Sequence, residues 1–443
     1  MASKVIRDAV HGDIELDTEA LSVLDTPEMQ RLRRIAQLGT ASLVYPSAVH
    51  TRFEHALGTY HLTGRLLERL ERTHGGSVLE PAQRRATRLA ALVHDVTHVP
   101  FGHTFEDERR IWPRHDEPEH VRAMLRRGAL GEALERTGLR DLVEDTLVGN
   151  PPVPLMADLV RGTVGADLLD YLARDALLCG FSRRWDERLL RYYAVSGATR
   201  RLAFAVYKRS LLRHDAVSEI LELLWLRHML CERVYFHHAK IAAGAMISRA
   251  VEWAVAGGLQ REALYEASDH GLAELLRPYL AHEPAAGRLL AALAARRLHR
   301  RAYVLTRAIG TEAQRELVAR YHHDPAAREH AERELAARTG LRPGELIIYC
   351  PSERMASKEV EIPVLDPAGT ERPLAALRLP EVDLLLERHR DLWRLYVFVA
   401  ADRLDRREAV GRAASAWFGF ANELDAEARH ASATRYDKRN YNV

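Results

Sequence analysis

Apolar positions along this chain recur mainly with a helical period, from near the start to about residue 310. In DTPEMQRLRRIAQLG, Met29, Leu32 and Ile35 share one face and predict a helix. Asp25 or Thr26 caps it, Pro27 sits where a first turn tolerates proline, and Gly39 ends it. The segment PAQRRATRLAALVHDVTHVPFGH opens on Pro81, carries Leu89, Leu92, Val93 and Val96 at helical spacing, and stops by Pro100. Its histidines and aspartate therefore gather at a helix end. Further helices are expected within 130–147, 216–255 and 271–282.

After about residue 340 the pattern changes to β-rich runs, ELIIYCPS, KEVEIPVL and LWRLYVFVAA, separated by Pro, Gly and Asp. The expected architecture is mainly α: a helical core over 1–310 and a small α+β region over 311–443 that packs on that body or on a second subunit. Between the two, HHDPAAREHAERELAARTG predicts a charged helix whose His322, His323 and His330 form a solvated face.

Composition narrows the class. The 443 residues carry 64 Lys+Arg against 62 Asp+Glu, a formal charge of +2, with 47% hydrophobic residues. Such a chain builds a large core and has no general electrostatic grip on nucleic acid. Three separated cysteines, Cys179, Cys231 and Cys350, support neither a disulfide framework nor a cysteine zinc module, and a reducing cytoplasm is expected. No apolar run suits an export signal or a membrane span.

The motifs GxxxxGK[ST], GxGxxG, HExxH and GxSxG are absent, so P-loop hydrolysis, dinucleotide redox chemistry, zincin proteolysis and elbow serine hydrolysis lose support. Histidine and aspartate remain. They concentrate at His50 and His55 in AVHTRFEHALG, at His94, Asp95, His98 and His103 in VHDVTHVPFGH, at His115 in RHDE, and at Asp167 in GADLLDYLARD. Imidazole with carboxylate suits a divalent first-row cation such as Mn, Fe, Zn or Ni, with Mg accompanying phosphates. His94, Asp95 and His98 end an apolar helix, where unliganded polar groups would be costly to bury.

KVIRDAVHGDIELDTEALSVLDTPEMQRLRRIAQLG, YPSAVHTRFEHALG, HDVTHVPFGHTFE and GADLLDYLARD, in this order, resemble the HD-domain superfamily of metal-dependent phosphohydrolases. The closest resemblance is to its deoxynucleoside triphosphate triphosphohydrolase branch, without the sterile-alpha-motif domain of the mammalian member. The similarity spans most of residues 4–240. It implies metal ligands at His55, His94, Asp95 and Asp167. It implies phosphate binding at Arg52, phosphate contact and proton transfer at His98 and His103, and a supporting histidine at His115, with Glu106 where the family has aspartate. Sugar and base contacts are implied at Gln37, Leu38, Tyr171, Asp175, Arg227 and Tyr235. The implied reaction is attack of metal-bound water on the α-phosphorus, releasing deoxynucleoside and triphosphate.

Other implications concern assembly. Lys4, Asp25, Gln30 and Arg33 match residues that read a guanine nucleotide at a subunit interface, implying a GTP or dNTP activator and a homo-oligomer, a dimer or tetramer. On the residues alone, Asp25 is a helix cap and Gln30 and Arg33 lie on a wet face. Three departures stand out: Leu168 replaces a phosphate-binding lysine, Phe236 a glutamine near the base, and Arg7 an asparagine. Leu168 keeps open a phosphohydrolase for a nucleoside monophosphate or specialised nucleotide. A nucleotide-sensing oligomer is the alternative of another class.

Overall fold

A computed structural model describes residues 4–352 and 361–424. The chain is mainly helical with small sheets. An antiparallel hairpin, Lys4–Asp8 with Gly12–Leu16, precedes the helical body. The central helix, Arg52–His74, buries Phe53, Ala56, Tyr60, Leu66, Leu67 and Leu70 along its length and ends at Gly75. Pro81–Val93 and Ala166–Leu178 pack on either side of it. A Cβ at Gly58 of the central helix would lie 1.8 Å from Asp170 Oδ1. The absence of a side chain there lets Ala166–Leu178 approach closely enough to set its charged stripe against the central helix.

The helix expected to begin at Asp25 is interrupted. Thr18–Leu24 ends with Asp25 as its C-cap, Thr26 starts Pro27–Arg31, and one 3-10 turn follows through Arg34. Ile35 is extended because its carbonyl accepts from Arg52 N–H at 2.9 Å, and Ala36 bridges Thr51. Pairing across the fold overrides the local helical period, so Gly39 is not a helix stop. The 216–255 segment is two helices, His214–Leu230 and His238–Ala256, joined by a π-turn.

Towards the C-terminus the expected strands form at Leu346–Tyr349, Pro363–Leu365 and Arg394–Val399; residues 358–360 of the second run lie outside the described residues. Arg394–Val399 is central in a three-stranded antiparallel sheet, flanked by Leu346–Tyr349 and by Arg300–Thr306. The last of these precedes residue 310, where helix was expected. Pro363–Leu365 pairs in parallel with Leu202–Ala205 of the body, so the late chain is woven into the early one. His322 departs from expectation: it is buried, and its Nδ1 donates to the Cys350 carbonyl at 2.9 Å, while His330 is exposed. No helix among the described residues is long and apolar enough to cross a membrane.

A buried ionic cluster joins these regions. Arg109 donates through Nε to Glu252 at 2.8 Å and through Nη1 and Nη2 to Glu332 at 2.7 and 3.2 Å. Glu252 also accepts from Arg328 at 3.1 Å and Arg249 at 2.8 Å. Glu332 accepts the Ile348 N–H of the sheet at 2.8 Å. Arg109 stands three residues after Glu106, so the loop bearing Glu106 is fastened to the helices His238–Ala256 and Pro325–Thr339.

Candidate metal and phosphate site

His55 lies in the first turn of the central helix, whose start is fixed by Thr51 N–H donating to Glu54 Oε2 at 2.6 Å. His94 caps Pro81–Val93, Asp95 follows it, and Asp167 occupies the first turn of Ala166–Leu178. These three elements bring four groups together. His55 Nε2 lies 3.2 Å from His94 Nε2, 3.0 Å from Asp167 Oδ1 and 3.8 Å from Asp95 Oδ2. His94 Nε2 lies 3.5 Å from Asp95 Oδ1 and 3.7 Å from Asp167 Oδ1.

The hydrogen-bond pattern fixes the chemistry of this donor set. His94 Nδ1 is 2.8 Å from the Ala91 carbonyl, which can only accept, so Nδ1 holds the proton and Nε2 presents a lone pair. His55 Nδ1 donates to Asp170 at 2.7 Å, which likewise frees Nε2. Two lone pairs and two carboxylates then face one another in a buried space. Such an arrangement calls for a positive charge among them, and a divalent cation fits these nitrogen and oxygen donors. With only protons to compensate, His55 bears the charge: against its burial, the Asp167 and Asp170 carboxylates push it up to about 10.

Asp170 was not among the residues singled out from sequence. It is fully buried, donor-saturated by Arg174 at 2.9 Å through both Nε and Nη2, and lies 2.6 Å from His11 Nε2 in the N-terminal hairpin. Arg174 also holds Asp8 at 2.8 Å. The spacing of Asp167, Asp170 and Arg174 on one helix stripe is the signal that could have exposed this layer; His11, remote in sequence, gave none. We predict that Asp170→Asn weakens metal binding by about 10–100-fold, read by metal titration of the purified protein, because it no longer fixes the His55 tautomer. An unchanged affinity would remove Asp170 from this role.

Arg52 is buried and bonds Asp95 Oδ2 at 2.6 Å, while its Nε has no hydrogen-bond partner among the described residues. A Cβ on Gly102, whose φ is +57°, would meet Arg52 Nη2 at 2.5 Å, so glycine is required there for both its backbone and its missing side chain. Asp269, from a distant segment, accepts the N–H groups of Ala36 and Phe101 at 2.8 and 2.7 Å and ties the two flanking loops together.

Beside the four-group cluster stands a second one. Glu106, in a π-turn over Thr104–Glu108, takes His103 Nδ1 at 3.2 Å and His115 Nδ1 at 3.0 Å on Oε2. His98 stacks on His115 with ring centroids 3.9 Å apart, its Nε2 lying 3.2 Å from Asp95 Oδ1 and its Nδ1 3.5 Å from Glu106 Oε1. The longer Glu106 side chain thus reaches both histidines. Burial penalises the Glu106 carboxylate, but the three imidazoles hold it well below the usual carboxylate range. The reciprocal effect raises His103, where Glu106 outweighs desolvation, whereas burial and Arg52 push His98 down to about 3.

Of the remaining expected residues, Asp175 accepts from Tyr235 hydroxyl at 2.6 Å and pairs with His50 at 2.8 Å. Tyr171 lies between His55 and Tyr235, with ring centroids 6.5 and 6.4 Å away. Asp167, Leu168, Tyr171 and Arg227 line one cavity of ≈ 810 Å³, which also reaches Arg161 and Arg372. Gln37 is held beside Arg52 by the paired backbone, and Leu38 packs half-buried against the core. Arg33 donates to Gln30 at 2.8 Å and covers the Phe53 ring at 3.6 Å, Gln30 donates to the Leu24 carbonyl at 2.9 Å, and Asp25 is exposed. Lys4 sits on the first strand and makes no hydrogen bond or ion pair with those three described residues.

Residues 52–147 match the family described as HD domain, and residues 200–428 match the HD associated region. The chain is 33% identical over 250 residues to an uncharacterized protein of Methanocaldococcus jannaschii. It is 28% identical over 270 residues to the SAMHD1 homolog of Dictyostelium discoideum, a deoxynucleoside triphosphate triphosphohydrolase. Each alignment covers 56% of this chain and 49% of the relative, so the chain spans about half the length of these relatives. A phosphohydrolase from Bacteroides thetaiotaomicron matches in structure with a TM-score of 0.67 over 90% of this chain and 99% of that one, at 22% identity. A hypothetical protein from Aquifex aeolicus gives 0.69 over 92% and 100%, at 20% identity. At those identities the structural likeness concerns the fold alone. The segment that brings His55, His94 and Asp95 together is the one matched as an HD domain, and the chain belongs to the HD-domain phosphohydrolase family.

Proposed function

We propose that the protein is a metal-dependent deoxynucleoside triphosphate triphosphohydrolase. The observation that carries this reading is the pair of imidazole Nε2 atoms, freed by their Nδ1 partners, facing each other at 3.2 Å between Asp95 and Asp167. His55, His94, Asp95 and Asp167 would hold a divalent cation, which when bound supplies Lewis acidity and a more acidic water. Arg52 carries a guanidinium at the edge of this set and releases part of it to phosphate oxygens. The half-exposed His103, kept cationic further up the pH scale by Glu106, donates a proton to the departing 5′ oxygen. Asp175 and Tyr235 form a hydrogen-bonded wall suited to a sugar hydroxyl, and Tyr171 stands where a 2′-hydroxyl would be crowded. The names of the SAMHD1 relatives support a dNTP as the substrate class.

Leu168 favours a second reading. It puts an apolar side chain beside Asp167, where the resemblance carries lysine, and this suits a nucleoside monophosphate or specialised nucleotide. Chromatography of products from a panel of dNTPs and nucleoside monophosphates, with Mn, Fe, Zn, Ni and Mg and with GTP varied, decides between them. The expected products are deoxynucleoside and intact triphosphate. Monophosphate plus pyrophosphate, turnover of monoesters only, or no turnover with every metal would defeat the primary reading.

Glu106 gives a pH test. His103 is raised by Glu106, so its acidic form persists to higher pH; Glu106→Gln should move the alkaline limb of the kcat profile to lower pH. An alkaline limb that stays in place removes His103 from the proton-donor role.

A further inference from the structure

A second cavity, of ≈ 220 Å³, is bounded by the helix Pro284–Ala294, the loop leading to Arg300–Thr306, the turn around Gly344 and the residues after Arg394–Val399. It shares no lining residue with the cavity beside Asp167. Arg288, Arg297 and Arg342 border it together with the carboxylates of Glu345 and Asp402 and the apolar Leu289 and Pro343, so three guanidinium groups face two acids. Arg342 bonds Glu345 at 2.7 Å, and Glu345 also accepts Arg403 at 2.9 Å. The guanidinium groups of Arg288 and Arg297 make no ion pair or hydrogen bond among the described residues.

Exposed arginines are ordinarily solvated, and two features set these apart. Arg296 adopts a left-handed φ of +52°, held by its Nε donating to the Leu43 carbonyl at 2.8 Å, and the Arg297 N–H closes on Ala292 O at 2.7 Å. The backbone that delivers Arg297 to the cavity is therefore fixed. His299 borders the same space at 5% exposure; its Nε2 donates to Gly344 O at 2.8 Å, and its Nδ1 is buried without a hydrogen-bond partner among the described residues. A carbonyl only accepts, so the proton lies on Nε2 and Nδ1 is an unmet acceptor.

Guanidinium forks match phosphate oxygens, and a space of this size takes a ligand smaller than most drug-like molecules. We propose that this cavity binds a small phosphorylated ligand, its phosphate on Arg288, Arg297 and Arg342 and an N–H or O–H of its body directed to His299. A free oligophosphate and a phosphate ester share this chemistry.

Calorimetric titration of full-length Asp95→Ala protein, in which the His55/His94 site is disabled, with inorganic phosphate, tripolyphosphate and GMP tests the assignment. Adding Arg288→Glu and Arg297→Glu should weaken binding about tenfold or more. Tighter GMP binding that His299→Phe weakens identifies a phosphate ester; tripolyphosphate binding that His299→Phe leaves unchanged identifies an oligophosphate. Equal affinity with and without the charge reversals, or no binding of any of the three compounds, overturns the proposal. Introducing the two reversals into the otherwise native chain and assaying dNTP hydrolysis separates this outcome from failure of the hydrolase reading, since neither arginine lines the Asp167 cavity.

Discussion

Replacing Asp95 with alanine is expected to lower hydrolysis by roughly a thousandfold or more and to release the metal. Two losses combine. The carboxylate leaves the imidazole pair, and Arg52, buried with its Nη1 on Asp95 Oδ2 at 2.6 Å, becomes an uncompensated charge beside the same site. Asp95→Asn separates them in part, because it keeps a ligand oxygen and a hydrogen-bond acceptor while removing the charge. It should therefore retain more metal than alanine does, measured by elemental content after dialysis. Activity of Asp95→Ala within tenfold of the native chain, at any metal concentration, would mean that the four-group cluster is not the reaction centre.

The second large effect falls on stability. Arg109→Met should destabilise the fold by about 3–5 kcal/mol, because Glu252 and Glu332 then lose their shared buried partner. Burial opposes ionisation of Glu252, and Arg109, with Arg249 and Arg328 behind it, holds it down at about 2; removing Arg109 takes away the largest of these opposing contributions. Denaturant unfolding checks the prediction. Substituting Glu332→Leu in the Arg109→Met background should recover part of the loss, since an apolar replacement of both partners is tolerated better than one orphaned charge. A loss below about 1 kcal/mol would show that water reaches the cluster. The effect extends beyond stability, because Arg109 follows Glu106 by three residues and loosening it should also broaden the pH profile of the reaction.

The sequence made the candidate site groups visible and left their support hidden. His94 and Asp95 stand out because they end an apolar helix, whereas His55 and Asp167 are marked as their companions by the resemblance to the HD-domain family. Helix existence was equally legible from Leu89, Leu92 and Val93. What local pattern could not disclose was contact between distant segments. His11 and Asp170 are far apart in the chain, and only the fold shows that they meet, at 2.6 Å. Ile35 belongs to a helical period yet is extended, because pairing with Arg52 decides its conformation. His322 reads as solvated from a charged neighbourhood, but the strand ending at Tyr349 brings a carbonyl to it. Arg300–Thr306 was missed for a related reason: a short run buried on both faces has no alternation to distinguish it from helix.

The hairpin of residues 4–16 has one consequence for how the protein is handled. Two strands alone are marginally stable in water, so this small ribbon depends on its docking through His11 and Arg174 for its shape. The dependence runs both ways: a fused tag, a bound antibody or a proteolytic nick that peels the ribbon away would take His11 from Asp170 and Asp8 from Arg174, loosening the layer that orients His55. Metal loss during purification would then report damage at the leading end of the polypeptide while every ligand remained chemically intact.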